Sequence, residues 1–467
     1  MRFGNKTVSS AIDGARAMSF ENSISSLDSV KHQRVLPAYT DNAKLRLVIG
    51  TLLYLAQGLS QGVLFIAIPS WLAANGQPAA GIGSVIAAMS LPWSIKFITG
   101  SVVDRYAFLP MGRRRGWIMG AQLSILATLI FFALMNPAPE MLVFIIVFVS
   151  ILSFFTSVQD VALDAMIIDL TPTSELGKIN AYMLTGKSVG LAGGGAVTSY
   201  FLEFQGFTVA MFVLAGLFAI PALVATLFRE RPGERLFPWT SGIASPESIR
   251  SKPQAWWSVL KETLAVLFRR DPLFIIALCI FYGMHQGIFE ATMPVFATQE
   301  MGWGETRYAS LSGVGYLVSG GLGIVIGGWA TDKIGPSIFA RLSAILGGLL
   351  LALLIVFRPT PDDGMIFSTW YLSLAVMVFF FYLCMVTIGM RVCKAKVAAT
   401  SYALIMGSMA LGMMFGALMV GPLEQFGSYS AMFGGAIITL LISAAMVLGL
   451  SAETGGPKRG YSYAKSY

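Results

Sequence analysis

Twelve stretches of about 20 predominantly apolar residues follow one another along this 467-residue chain. They lie near 46–70, 80–102, 117–136, 141–168, 179–202, 208–228, 273–297, 308–330, 338–357, 369–390, 398–422 and 429–450. A run of that length matches the hydrocarbon core of a bilayer. Inside lipid no water is present to satisfy backbone N–H and C=O groups, so each run has to bond within itself as an α-helix. The expected fold is therefore an all-α membrane protein with twelve transmembrane helices. Only 12% of residues are charged and 55% are hydrophobic, against about 25% charged in soluble domains. The net charge of +8 sits in short loops between the runs, which favours membrane topology over nucleic-acid binding.

The loops alternate in character. One set carries Arg105, Arg113, Arg114 and Arg115, then Lys178, then Arg229, Arg231 and Arg235, then Lys333, then Arg391, Lys394 and Lys396. The other set (75–78, 136–140, 203–206, 300–305, 424–427) is poor in Lys and Arg, with Arg307 and Arg358 as exceptions. The positive-inside rule places the basic set, and both termini, in the cytoplasm of a cell with the chain in its inner membrane. Residues 1–43 are polar and Ser-rich without an apolar core, and read as a disordered cytoplasmic tail rather than a signal peptide. The boundaries that follow are a six-helix bundle over 44–230, a cytoplasmic linker over 231–270, a second bundle over 271–452 and a tail over 453–467. Within the linker, Trp257, Leu260, Leu264 and Leu267 at helical spacing among Lys261, Arg269 and Arg270 suggest an in-plane amphipathic helix, or an extension of the next span.

The two halves repeat. Gly186, Gly195, Ala196, Leu202, Glu203, Gly206, Ala210, Met211 and Phe212 all recur 221 positions later. The loop after the second helix of each half also matches: Gly100 with Asp104-Arg105, and Gly328 with Asp332-Lys333, 228 apart. Two six-helix halves in parallel repeat are the architecture of major facilitator transporters, which bind substrate between the halves near the midplane. In that loop pair the glycine is expected to permit close helix approach, and the Asp to pair with Arg or with helix N–H groups. Gly100, Asp104, Arg105, Arg113, Arg114, Gly328, Asp332 and Lys333 are accordingly gating candidates.

Charges inside the spans are expensive and point to function. Counted at 1.5 Å per residue from the loop charges, Lys96 lies about 12 Å deep, Asp160 and Asp164 about 13 and 7 Å, and Lys187 about 13 Å. Three helices thus bring Lys96, Asp160 and Lys187 to similar depth, where they should face inward and meet, either as a proton-exchanging anion site or as a static ion-pair cluster. Lys96, Asp160, Asp164 and Glu290 are the proton-coupling candidates. On the seventh helix, His285 lies about 20 Å from the helix start beside Gln286, with Glu290 about a turn further on. Gln57 and Gln61 share a face of the first helix. With Gln159, Lys187, His285 and Gln286 they are the substrate-binding candidates; each has a plain packing alternative.

The glycine runs at 190–195 and 320–328 read as close-packing surfaces, since no strand precedes them and no Gly-Lys-Ser/Thr follows a GxxxxG. An ATP-driven pump is not expected, nor a metal, a cofactor or an enzyme. Cys279, Cys384 and Cys393 have no metal or disulfide spacing, and His32 and His285 no metal pattern.

Three ordered motifs narrow the reading. They are Leu91-Pro-Trp-Ser-Ile-Lys-Phe97, Gly112-Arg-Arg-Arg-Gly-Trp117 and Gln159-Asp-Val-Ala-Leu-Asp164. Over about 50–230 the chain resembles the AmpG-type muropeptide permease and acetyl-CoA transporter family. The resemblance implies transport coupled to the proton gradient and importance for Lys96, Gln159, Asp160 and Asp164. The chain departs from the longer AmpG-type pattern, which has two further helices, so muropeptide-like and siderophore-like cargo both stay open. The expected function is secondary active, proton-coupled import of a small polar or anionic solute by a monomer working through alternating access. The alternative is a drug or metabolite exporter of the same superfamily.

Overall fold

The computed structural model describes residues 37–172, 174–250, 265, 269–392, 398–426 and 429–450. The greater part of the N-terminal tail, the C-terminal tail and most of the expected amphipathic helix lie outside the described residues, as do Lys394, Lys396 and Cys393.

Twelve spans follow in order: α1 (Ala43–Ala74), α2 (Ala79–Ser94 continued as Lys96–Arg105), α3 (Arg115–Met135), α4 (Leu142–Leu170), α5 (Leu176–Gln205), α6 (Phe207–Leu227), α7 (Arg270–Glu300), α8 (Glu305–Ile334), α9 (Pro336–Phe357), α10 (Gly364–Val392), α11 (Ala398–Glu424) and α12 (Tyr429–Met446). Among the described residues, ten helices are long and apolar enough to cross a membrane, and α2 makes eleven when its two bent parts count as one. The remaining span, α5, runs 30 residues but carries Lys178, Lys187, Glu203 and a glycine run in place of aliphatic bulk.

Those glycines have a packing reason. A Cβ at Gly190 would stand 2.2 Å from the Leu55 carbonyl oxygen of α1, and one at Gly58 would stand 2.2 Å from that of Lys187 on α5. The backbones of α1 and α5 therefore touch, as small residues allow in lipid. The second half repeats the seam between α7 and α11, where Cβ atoms at Gly283 and Gly412 would lie 2.0 Å from the Met409 and Ile280 carbonyl oxygens.

Successive loops emerge on alternate faces. The face with the Arg-rich loops is called here the basic face, the opposite one the far face. Toward the far face both halves share one apolar core, which includes Trp71, Phe148 and Phe207 of the first half and Phe296, Phe367 and Phe433 of the second. Toward the basic face the core divides. Tyr39, Ile49, Leu53, Val103 and Met166 cluster in one half, and Ile275, Tyr282, Phe381, Ile405 and Leu440 in the other. The halves thus share one core at the far face, whereas toward the basic face each keeps its own.

Candidate functional site

The site begins with a break in α2. The sequence suggested one continuous helix over 80–102, but the two parts meet at Ile95 with a 42° bend. Pro92 supplies no N–H and crowds the preceding turn, which explains the bend. Neighbouring α4 takes up the carbonyls around it: Ser153 Oγ donates to Met89 O (2.5 Å) and Ser157 Oγ to Pro92 O (3.5 Å). Trp93 Nε1 in turn donates to Ser153 Oγ (3.1 Å). Lys96 opens the second part of α2 with its ammonium 5.6 Å from the Trp93 ring centre.

Lys96 Nζ donates to Asp160 Oδ2 and lies 3.9 Å from Asp164 Oδ2. Gln57 Nε2 donates to the other oxygen of Asp160, and Tyr54 OH to Asp164. Of the residues grouped by depth in the sequence, Lys96 and Asp160 therefore meet. Lys187 stays beyond ion-pair distance of both carboxylates among the described residues, yet lies in the electrostatic field of Asp160, Asp164 and Lys96. The Asp160 side chain is 6% exposed and that of Asp164 39%. The first is held as a partner of Lys96, whereas the second is the more exposed. From the other half, Tyr382 of α10 lies in the field of Lys96 and Asp160.

The remaining candidates disperse. Gln159 points away from the charges and donates to Leu53 O (2.9 Å). Gln61 is buried on α1, one turn from Gln57. His285 is fully buried with Nδ1 2.9 Å from Ala436 O of α12. It stacks 6.1 Å from Phe289, so it tethers α7 to α12 rather than joining the charged group. Gln286 Nε2 donates to Tyr282 OH (2.9 Å), and Tyr316 OH of α8 donates to Glu290 Oε1 (3.2 Å). The second half thus offers a tyrosine-rich polar patch, which Tyr382, stacked 6.1 Å from the Tyr282 ring, connects toward the Lys96 group.

The residues expected to gate are brought together only in part. Arg114, rather than Arg105, pairs with Asp104, and its Nε reaches Asp169 Oδ2 of α4 at 3.4 Å. Arg113 Nη2 reaches the Asp104 carbonyl at 3.4 Å. Arg105 stands 6.0 Å from the Tyr106 ring centre. Asp332 and Lys333 are exposed at the end of α8. The expectation of close helix approach at Gly100 and Gly328 is not met in this conformation. A Cβ at Gly100 would meet only Val161 Cγ1, at 3.7 Å, and one at Gly328 nothing within 4 Å. Gly100 thus faces α4 at ordinary side-chain distance, with no helix backbone close to it.

Sequence reasoning missed several of the tightest contacts. Tyr54 lies three residues before Gln57 on the same face of α1, the spacing that could have found it. Glu230 was not singled out at all. It is 1% exposed and accepts the backbone N–H groups of Arg113 (2.9 Å), Arg114 (2.6 Å) and Arg115 at the start of α3. Burial pushes its carboxyl pKa up, against the opposing pull of those N–H groups. Around it, Tyr39 N donates to Arg229 O (2.7 Å) and Arg115 Nη2 to Thr226 O (2.7 Å). Arg46 grips Glu175 with two bonds of 2.9 and 2.8 Å, joining the starts of α1 and α5. That guanidinium holds the Glu175 carboxyl below the usual carboxylate range.

Comparison with known proteins agrees with this geometry. The family model described as Major Facilitator Superfamily matches residues 50–417. The anhydromuropeptide permease of Escherichia coli strain K12 is 24% identical over 429 residues, covering 87% of this chain and 78% of the permease. The crystal structure of nucleoside transporter NupG superposes with a TM-score of 0.64 at 13% identity, covering 86% of this chain and 97% of that one. That of a D-xylose–proton symporter gives 0.62 at 14% identity, covering 88% and 98%. With its paired six-helix halves and its repeated loop, the chain belongs to the Major Facilitator Superfamily of membrane transporters.

Proposed function

We propose that this transporter imports a small anionic solute of the anhydromuropeptide class together with protons, by alternating access of two halves (44–230 and 271–452) across an inner membrane. The basic face would be cytoplasmic, by the distribution of Lys and Arg. The observation that carries the reading is the buried group formed by Lys96, Asp160, Asp164, Tyr54 and Gln57. Two carboxylates share one close ammonium, so one of them can hold a proton without leaving a bare charge in a desolvated site. Asp164, the more exposed of the pair, exchanges that proton. Asp160 and Lys96 link its charge to the cleft, and Lys187 offers a cation there for a substrate carboxylate. The cargo class rests on the similarity to the anhydromuropeptide permease over 87% of the chain.

In proteoliposomes with an imposed pH gradient, Asp160→Asn and Asp164→Asn should abolish gradient-driven accumulation of a labelled anhydromuropeptide. Exchange of solute at equal pH should survive in at least one of them. Accumulation equal to wild type in both variants, with an unchanged pH profile, would remove the proton role.

A further inference from the structure

The repeat has a counterpart at the far face that the gating motif does not cover. Glu203, near the end of α5, and Glu424, at the end of α11, are related by the 221-residue repeat. Each carboxylate crosses to the other half and binds the start of a helix there. Glu203 Oε2 accepts the N–H of Thr306 (2.9 Å), the second residue of α8. Glu424 Oε1 and Oε2 accept the N–H groups of Ala79 (3.2 Å) and Ala80 (3.0 Å), the first and second residues of α2. The second spans α2 and α8 are themselves repeat-related. The first N–H groups of a helix have no partner within it, and the helix dipole adds a favourable field for an anion. A carboxylate there makes a charge-assisted bond that is kept only while the halves touch.

We infer that Glu203 and Glu424 are paired latches that hold the far face shut, each capping a helix of the opposite half. This rests on the alternating-access reading, in which the present arrangement is closed at the far face. Opening that face would separate α5 from α8 and α2 from α11, and both caps would have to be given up to water. Neighbouring contacts support the same closure. Gln299 Nε2 of α7 donates to the Ala73 and Gln77 carbonyls (2.9 and 3.0 Å), and a Cβ at Gly83 of α2 would lie 2.3 Å from the Ala417 carbonyl oxygen of α11. These contacts are short-range and neutral. The two glutamates bring formal charge to the seam as helix caps, with the buried Glu305 carboxyl of α8 in the field of Glu203, so they are positioning residues for the transport cycle rather than parts of the substrate site.

The test is a distance measurement between spin labels on exposed far-face positions, Glu140→Cys in the first half and Asp362→Cys in the second, in a cysteine-free background. Glu203→Ala and Glu424→Ala should each raise the ratio of long- to short-distance populations about fivefold, the size of a typical cap. Glu424→Gln, which keeps an acceptor oxygen, should recover part of the loss. Glu300→Ala, another exposed far-face carboxylate, should leave the ratio unchanged. Monodispersity on size exclusion checks that each variant is folded. If wild type shows both populations shifting with solute or pH while the alanine variants keep its ratio, the latch is wrong and alternating access stands. If no long-distance population appears in any variant or condition, alternating access fails and the latch with it.

Discussion

Replacing Glu230 by alanine removes the acceptor for three backbone N–H groups at the start of α3. At about 1–1.5 kcal/mol for each bond, the gross loss is roughly 3–4.5 kcal/mol. Deleting a buried carboxylate also relieves its desolvation penalty, about 1–2 kcal/mol. A net local loss of about 2 kcal/mol remains, equivalent to roughly 30-fold in an opening equilibrium. Hydrogen exchange followed by mass spectrometry on a peptide covering residues 111–117 reads this directly. The Glu230→Ala variant should exchange there about 30-fold faster, with acceleration also at 37–40, which pairs with 229–230. The sign of the pH effect follows from burial, which raises the Glu230 carboxyl pKa in the folded protein. A raised pKa means the folded state holds the proton more tightly. Its contribution is fully present below the ordinary carboxylate pKa and is lost as pH rises through the folded value. Wild-type protection at 111–117 should therefore weaken as pH rises above the ordinary carboxylate range, and the alanine variant should lose most of that slope. A change of less than twofold in the variant would refute the capping role.

Three further outcomes are expected. Gly58→Leu should prevent accumulation of folded protein, because even a Cβ would come 2.2 Å from the Lys187 carbonyl oxygen. Gly193→Ala, with nothing within 4 Å, should leave yield and monodispersity unchanged. The Arg46–Glu175 clamp should fail on acidification, since its carboxyl pKa is depressed and its contribution is lost as pH falls through the folded value. Exchange at residues 43–50 should accelerate only below about pH 4, and Arg46→Gln should remove that dependence. His285→Ala should lower unfolding stability by about 1 kcal/mol through the lost α7–α12 hydrogen bond, since Thr439 Oγ1 still donates to the Ala436 carbonyl (3.1 Å), while the pH profile of uptake keeps its midpoint.

The fold was legible because lipid leaves the backbone few choices. Runs of about 20 apolar residues had to become helices, and the paired Glu203 and Glu424 already marked two similar halves. The α1–α5 seam was legible in the 190–195 glycines, whose backbone contacts with α1 are among the closest in the protein. Depth counting also put Lys96, Asp160 and Lys187 at one level, because helix rise fixes axial position, and of these Lys96 and Asp160 pair. It could not fix rotation about the helix axis. Gln159, adjacent to Asp160, therefore turned to the Leu53 carbonyl instead of the cleft, and His285 turned to α12. Tyr54 and Tyr382 were passed over because tyrosines in apolar runs look like ordinary packing. Glu230 was missed because a charge beside a span end reads as topology, and its three N–H partners lie more than a hundred residues away. The bend at Ile95 followed from Pro92, and the sequence reading had smoothed it into one apolar run.

The most direct test of proton-coupled import is solute-driven proton flux. Proteoliposomes holding a pH-sensitive dye would receive anhydromuropeptide outside, with no imposed gradient. A symporter using the Lys96–Asp160–Asp164 group should acidify the interior as solute enters, and Asp160→Asn should abolish the acidification. Solute entry at the wild-type rate with no change in internal pH would contradict proton coupling.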